Sequence, residues 1–236
     1  MTQIEYQDLY KQVNKGWNDS VSIYKSIVSK LVTSETVIME AGCGFSNLYT
    51  EEYKRAKHVI GVDISDEYLR MNDLIKEKIV SDLSSIPMIK DNSVDLIISS
   101  WVFEHLENPD KVIKEFGRVL KPGGRAVFLT PNALNYVVII NKIIPHKFRL
   151  WVATKLGGKL TVEPMKTFYR ANTVGTLKRM AKDAGLNADE TILNGDPTYI
   201  AINKFFFYIG VIIETIISLP LINKTKVHII GVLRKD

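Results

Sequence analysis

Cysteine occurs once in this 236-residue chain, at Cys43. A single thiol excludes an intramolecular disulfide and any cysteine-cluster metal site. We therefore expect a reducing compartment, the cytoplasm, with the inner face of a membrane as the variant reading. The start, Met1 to Lys15, lacks the charged, apolar and small-residue succession of a secretory signal, so nothing there marks the chain for export. No apolar run offers an easy membrane span: the best, Phe205–Leu219, is short and carries Glu214 in its middle. No His/Asp/Glu/Cys set has metal-ligand spacing, so no metal is expected. Internal repeats and low-complexity tracts are also missing. What remains, 46% hydrophobic and 24% charged residues, is the composition of an ordinary globular protein, long enough for one large domain and cramped for two.

Acidic residues are scarce in one window. From Asn141 to Lys182 ten Lys/Arg stand against Glu163 alone, a net +9 that leaves −4 for the rest of the chain. A local field of that sign can attract an anionic small molecule or an acidic membrane surface. An ordinary solvated basic face explains it equally well.

Apolar runs at Thr36–Ala41, His58–Asp63, Lys78–Asp82, Val94–Ser100 and Arg125–Thr130 alternate with helix patterns at Asn47–Lys54, Asp66–Asp73 and Asp110–Leu120. This order predicts an α/β fold, a doubly wound, mostly parallel sheet with helices on both faces. Lys121-Pro122-Gly123-Gly124 reads as a helix stop and a tight turn. Ahead of the core, Tyr6–Leu31 reads as one or two helices. Beyond it, Ala133–Ile144 is strongly apolar, Asn172–Ala184 predicts an amphipathic helix closed by Gly185, and Lys226–Leu233 a last strand. A buried helix is the default for Phe205–Leu219, with an interfacial helix resting on a bilayer as the alternative. One domain thus divides into a helical cover (1–33), a cofactor-binding core (34–132), a substrate-side insertion (133–171) and C-terminal helices and last strands (172–236).

The first strand runs into Glu40-Ala41-Gly42-Cys43-Gly44. In a doubly wound sheet ligands bind at the carboxyl ends of the strands, where this turn lies. Gly42 and Gly44 permit unusual dihedrals and close backbone approach. The second strand ends in Asp63, suited to ribose hydroxyls, and the third in Asp82, followed by Leu83, suited to an adenine. A dinucleotide and an adenosine-bearing sulfonium both own a ribose, so Asp63 does not separate them. Two features do. Asn47 stands where the third glycine of a dinucleotide turn would fall, and Glu40 would repel a pyrophosphate while suiting a ligand with positive charge. The bland reading of Asp63 and Asp82 is that acids at strand ends merely cap the next helix.

Glu40-Ala-Gly-Cys-Gly, Gly61-Val-Asp63-Ile-Ser, Ser81-Asp82-Leu83, Asp91-Asn-Ser-Val-Asp95-Leu-Ile-Ile-Ser99-Ser100, Glu104-His105-Leu106 and Leu120-Lys-Pro-Gly-Gly124 together resemble the class I S-adenosylmethionine-dependent methyltransferases, in particular the small-molecule branch similar to quinone-biosynthesis enzymes. The resemblance covers Thr36 to Asn132. It implies S-adenosyl-L-methionine as cofactor and a Rossmann-like, seven-stranded sheet whose last strand is antiparallel, with Lys226–Leu233 the candidate. Carried over at matching positions, it sets the methionine moiety against Glu40, Gly42 and Gly44 and the ribose at Asp63, with Cys43, Asn47 and Ile64 also among the cofactor-binding residues. Asp82 and Leu83 would flank the adenine, and Ser99, Ser100 and Trp101 would line the pocket.

Methyl transfer is an in-line displacement on an already activated carbon, so a base is needed only where the acceptor must lose a proton. His105, after the fourth strand, is the candidate catalytic residue for a hydroxyl acceptor. His146, Tyr169 and Arg170 are the substrate-binding candidates; His58 and His228, in or beside strands, read as structural. Basic charge beside apolar helices points to a small-molecule or lipid- or phosphate-linked acceptor, a sugar among the options, and to a peripheral membrane contact through 205–219. Nucleic acid is the competitor. Ser99-Ser-Trp101 stands where amino-methylating DNA enzymes carry Asn/Asp-Pro-Pro-aromatic, and the lone Cys43 lies in the turn, where it cannot serve as a pyrimidine nucleophile. Phe148, Trp151, Phe168 and Tyr169 among the basic residues keep single-stranded RNA as a lesser reading. A catalytically silent cofactor-binding scaffold or partner subunit is the reading from another class.

Overall fold

The computed structural model of this chain describes residues 1–45, 48–143 and 165–236. Asn47, His146 and most of the expected insertion at 133–171 lie outside the described residues. Among those described, seven strands form one sheet: β1 (Val37–Ala41), β2 (His58–Asp63), β3 (Glu77–Val80), β4 (Val94–Ser100), β5 (Leu120–Pro131), β6 (Leu186–Asn194) and β7 (His228–Lys235), in the order β3-β2-β1-β4-β5-β7-β6. The neighbours β3-β2-β1-β4-β5 pair parallel. β7 is antiparallel to both β5 and β6.

The period of two along each central strand divides the core. Met39, Ala41, Val62, Ile97 and Phe128 face one layer, with Val112, Ile113, Phe116, Leu177 and Met180 of two covering helices, α5 (Pro109–Val119) and α7 (Val174–Asp183). Ile38, Leu96, Ile98, Val127 and Leu129 face the other, against α2 (Ser20–Leu31), α3 (Thr50–Arg55) and α4 (Asp66–Met71) through Tyr24, Tyr53 and Leu69. Caps fix the starts of several helices: Thr2 and Glu5 make a capping box on α1 (Gln3–Val13), and the side chains of Asp19, Ser65 and Thr173 accept N–H bonds at α2, α4 and α7. The N-terminal stretch is thus two helices. α6 (Tyr136–Ile143) follows β5.

Several expected bounds move. β3 ends at Val80, leaving Asp82 in the following turn, and α3 begins at Thr50. Lys121–Gly124 falls within β5, whose pairing with β4 shifts between Val94 and Leu96. β6 was not expected at any stated position. The larger correction concerns Phe205–Leu219, whose default was a buried helix. It forms α8 (Lys204–Ile217), which buries Phe207, Gly210 and Glu214 and leaves Phe205, Tyr208, Ile212 and Ile216 exposed. Its inner face meets polar backbone and a small satellite cluster around Tyr6, which has little area to cover a helix apolar on most sides.

Candidate functional site

A cavity of about 620 Å³ opens at the carboxyl ends of β1, β2, β3 and β4. Gly42, Cys43, Gly44, Asp63, Ile64, Asp82, Leu83, Ser100, Trp101 and His105 all line it. Ten of the residues singled out in the sequence therefore meet around one space, although they come from four strand ends.

The turn after β1 is folded onto β2: the N–H groups of Gly42 and Cys43 both donate to the Val62 carbonyl, at 2.8 and 3.2 Å. Gly42 has φ +72°, and a Cβ there would lie 2.4 Å from Val102 Cγ2, so both conformation and space require glycine. Gly44 has φ +47° with open space around it, and its N–H donates to Asp63 Oδ2 at 2.8 Å. The other carboxylate oxygen of Asp63 accepts from Ser65 N at 2.9 Å. Two backbone donors thus orient the Asp63 carboxylate and leave lone pairs for a ligand. Asp82 is exposed, and its Oδ1 accepts from Ser84 N at 2.7 Å, so it pins its own turn; among the described residues no helix lies between β3 and β4 for it to cap. Leu83 behind it is buried.

Glu40 and Ser99 do not line the cavity. Glu40 shares the face of β1 that carries Ile38, is buried, and accepts a short hydrogen bond from the Tyr53 hydroxyl. Burial pushes its carboxyl up to about 8, opposed by the Tyr53 bond. The Ser99 hydroxyl donates to the Ala41 carbonyl at 3.0 Å, tying β4 to the turn from beneath. Cys43 is buried, and burial raises its thiol well above the ordinary range, which makes it inert packing.

His105 sits on a short 3₁₀ turn, Phe103–His105. Its Nδ1 is 2.8 Å from the Lys166 carbonyl, which can only accept, so Nδ1 carries the proton and Nε2 of the neutral ring has a free lone pair. Nε2 lies 3.9 Å from Glu104 Oε1. Glu104 is buried, and desolvation raises its carboxyl above the usual range. Its Oε2 accepts from Thr130 Oγ1 at 3.1 Å, and Thr130 Oγ1 accepts from Asn172 Nδ2 at 2.6 Å. The chain Asn172, Thr130, Glu104, His105 therefore reaches from the start of α7 to the cavity wall. In sequence only the adjacency of Glu104 and His105 was visible.

Residues 165–170 dock on this turn. Phe168 N and Tyr169 N both donate to the Glu104 carbonyl, and Arg170 Nη1 donates to the Glu107 carbonyl at 2.6 Å. Tyr169 and Arg170 do not line the large cavity, but Met165 and Phe168 do. Lys166 Nζ and the Arg170 guanidinium stack on the Phe168 ring at 4.7 and 5.2 Å. Arg170 also borders a second, smaller hollow with Lys111 and Arg179. Phe45 and Tyr68, in edge contact at 5.4 Å, complete the opposite rim.

Behind Trp101, which has φ +59°, lies a polar chain absent from the sequence reading. The His228 ring is 4.9 Å from that of Trp101. Its Nε2 meets the Tyr199 hydroxyl at 2.6 Å, its Nδ1 the Ser20 hydroxyl at 2.8 Å, and Asn194 Nδ2 donates to Ser20 Oγ. Burial lowers His228 to about 4 and keeps it neutral. His58 is exposed at the far end of β2, paired with Glu77.

The charge pattern decides which ligand fits. Among the described lining residues there are three carboxylates, Asp63, Asp82 and Glu107, and no Lys or Arg. A pyrophosphate would find no counter-charge there, whereas a sulfonium or ammonium would. Leu83, Val102, Leu106 and Val112 supply apolar walls for a base. The residues present fit an adenosine-bearing sulfonium.

Known proteins agree. Residues 39–128 match the family model described as a methyltransferase domain. A phosphoethanolamine N-methyltransferase of Triticum aestivum is 36% identical over 98 residues, 37% of this chain and 20% of that protein. A malonyl-[acyl-carrier protein] O-methyltransferase of Yersinia pestis is 29% identical over 97 residues, 40% of this chain and 36% of that protein. The chain thus spans well under two thirds of either relative. A solved structure from Listeria monocytogenes, a putative S-adenosylmethionine-dependent methyltransferase, superposes with a TM-score of 0.59 at 13% identity, over 90% of this chain and 98% of that one. That likeness speaks for the fold.

Proposed function

We infer that this chain, which belongs to the class I S-adenosylmethionine-dependent methyltransferases, methylates a hydroxyl oxygen of an anionic small-molecule or lipid- or phosphate-linked acceptor, a sugar among them. One observation carries the acceptor reading: the split of charge around the cavity. The described lining carries carboxylates and no Lys or Arg, while Lys166 and Arg170 stand on Phe168, which lines the same space. The carboxylates would draw a cationic donor, and the cations on Phe168 an anionic acceptor. The names of the two relatives support the reading, since phosphoethanolamine carries a phosphate and the malonyl group a carboxylate.

Bound S-adenosylmethionine supplies an electrophilic methyl on a sulfonium. The chain's own residues do the rest. Asp63, held by Gly44 and Ser65, would accept from the ribose hydroxyls. Asp82 and Leu83 would flank the adenine, and the Gly42 turn would let the backbone approach the amino-acid end. His105 Nε2 accepts the hydroxyl proton of the acceptor as its oxygen attacks. Glu104, 3.9 Å away and fixed by Thr130, stabilises the imidazolium that results. Met165 and Phe168 would offer apolar surface to the acceptor.

Two measurements test the reading. Calorimetric titration with S-adenosylmethionine, its demethylated product and NAD should give binding of the first two; binding of NAD alone would overturn it. Incubation with labelled-methyl cofactor and a cell extract should place label in an anionic lipid or glycan. Label in RNA would move the acceptor to nucleic acid, and no label would favour a silent scaffold.

A further inference from the structure

The exposed side of α8 needs an occupant. Phe205, Tyr208, Ile212 and Ile216 form a ladder at helical spacing, each at least half exposed, and the chain continues to Leu221, 95% exposed. The inner side explains why the helix cannot turn this ladder inward. A Cβ at Gly210 would lie 2.2 Å from the Pro197 carbonyl, Glu214 fills the space beside Gly195, and Phe207 stacks on Tyr6 at 5.0 Å. The orientation of α8 is locked by its own contacts.

α6 extends the surface. Asn135 Nδ2 donates to the Thr225 carbonyl at 2.7 Å, and Asn132 Nδ2 donates to those of Lys224 and Lys226, which ties the start of α6 to the segment after α8. Ile139, Ile140 and Ile143 of α6 are exposed. Across residues 202–226 the sole acid, Glu214, is buried, while Lys204 and Lys224 are exposed at the two ends of the ladder. An apolar strip whose own segment carries exposed lysines and no exposed acid is complementary to an anionic lipid interface, where the strip enters the acyl boundary and the lysines reach the headgroups. A second copy in two-fold contact would bring lysine toward lysine. Spanning is excluded, since 14 helical residues cover about 21 Å of a hydrocarbon core about 30 Å thick.

We propose that α8, with α6 beside it, is a monotopic docking face for anionic membrane. α8 is linked to the cavity wall at a distance, since it packs on the Pro197–Ile200 turn whose Tyr199 reaches His228 and, through it, Trp101. This inference does not depend on the acceptor reading.

Flotation of the purified full chain with vesicles of phosphatidylcholine containing phosphatidylglycerol, without cofactor, tests it. Wild-type chain should float with these vesicles and far less with phosphatidylcholine alone. The Phe205→Ser/Ile212→Ser variant should lose roughly tenfold or more in vesicle affinity while keeping its thermal midpoint and its calorimetric affinity for S-adenosylmethionine. No flotation of the wild type would overturn the proposal. So would equal flotation of the variant, a concentration-dependent dimer in light scattering that the variant abolishes, or a sharply lowered midpoint, which would mean the ladder packs on its own chain. Failure to bind cofactor would count against the methyl-transfer reading and leave flotation unaffected.

Discussion

The half of the sheet from β3 to β4 and the half from β5 to β6 share a core but are built differently at the carboxyl edge. In the first half the functional positions sit at the ends of parallel strands or in the turns that follow them, and backbone N–H groups hold the two acids: Gly44 and Ser65 on Asp63, Ser84 on Asp82. In the second, side chains from distant segments hold one another, as in Ser20, Asn194, His228 and Tyr199. The first arrangement is rigid and leaves carboxylates facing open space, which suits a cationic ligand. The second satisfies its polar groups internally and leaves apolar surface outside. On the proposed function, the first half would hold the donor.

The sharpest test removes the group at the seam. His105→Ala should lower kcat by about 10²- to 10⁴-fold, the usual range for a general base, with cofactor affinity within a few-fold of wild type. Loss confined to cofactor affinity would assign His105 to the first half alone. Next in size is a pair of glycines. Gly42→Ala meets both a φ of +72° and Val102 Cγ2 at 2.4 Å, so it should cost at least about 1–3 kcal/mol of stability and abolish measurable cofactor binding. Gly44→Ala has space, and only its φ of +47° opposes it, so its cost should stay near 1–2 kcal/mol. Equal effects by chemical denaturation would mean that the collision with Val102 relaxes freely.

These glycines belong to the part of the site that the residues announce. β1, β2, β4 and the parallel order are readable because central strands are nearly continuous apolar runs that end in a turn motif. β6 is not, because Leu186–Asn194 is an edge strand rich in Asn, Asp and Glu and buried only at its two ends, so its composition imitates a loop. Glu40 shows a finer limit. Its place beside the turn is visible, but the period of two sends it with Ile38 to the face of Tyr53 and away from the cavity. Phe45, Tyr68, Met165 and Phe168 join the cavity through tertiary approach alone, for which no local pattern exists. The exposed side of α8 is hidden for a related reason: hydrophobicity says that a helix seeks apolar surroundings, not which surroundings.

Glu40 also yields a pH effect, which over the single unit from pH 7 to 8 is smaller than those of His105 and Gly42. Its folded value, about 8, lies above the ordinary 4.5. The unfolded chain therefore releases this proton first, and stability falls as pH rises from about 4.5 to about 8, by at most about 1.4 kcal/mol per pH unit. Glu214, raised by burial to about 7, adds to the lower part of that window. His228 acts oppositely: its folded value of about 4 lies below 6.5, so stability rises between about pH 4 and 6.5 and is flat above. Between pH 7 and 8 Glu40 should dominate, and denaturant unfolding of Glu40→Gln should lack the decline the wild type has there. An identical decline would place the titration in another group.

The smallest expected effect concerns the wall between the halves. Tyr199→Phe deletes the hydroxyl 2.6 Å from His228 Nε2 and leaves the ring packed against the imidazole at 5.3 Å between centroids. His228 keeps Ser20, so a single hydrogen bond is lost, worth about 0.5–1.5 kcal/mol, and a chain of this size should melt about 1–6 °C lower. Because Trp101 touches His228 through its ring and donates its backbone N–H to the Leu129 carbonyl, the cavity wall should stand, and cofactor affinity should stay within about twofold, less than 0.5 kcal/mol. A tenfold loss of cofactor affinity in Tyr199→Phe would break the division between the halves, because it would mean that the side-chain network of the second sets the shape of the first.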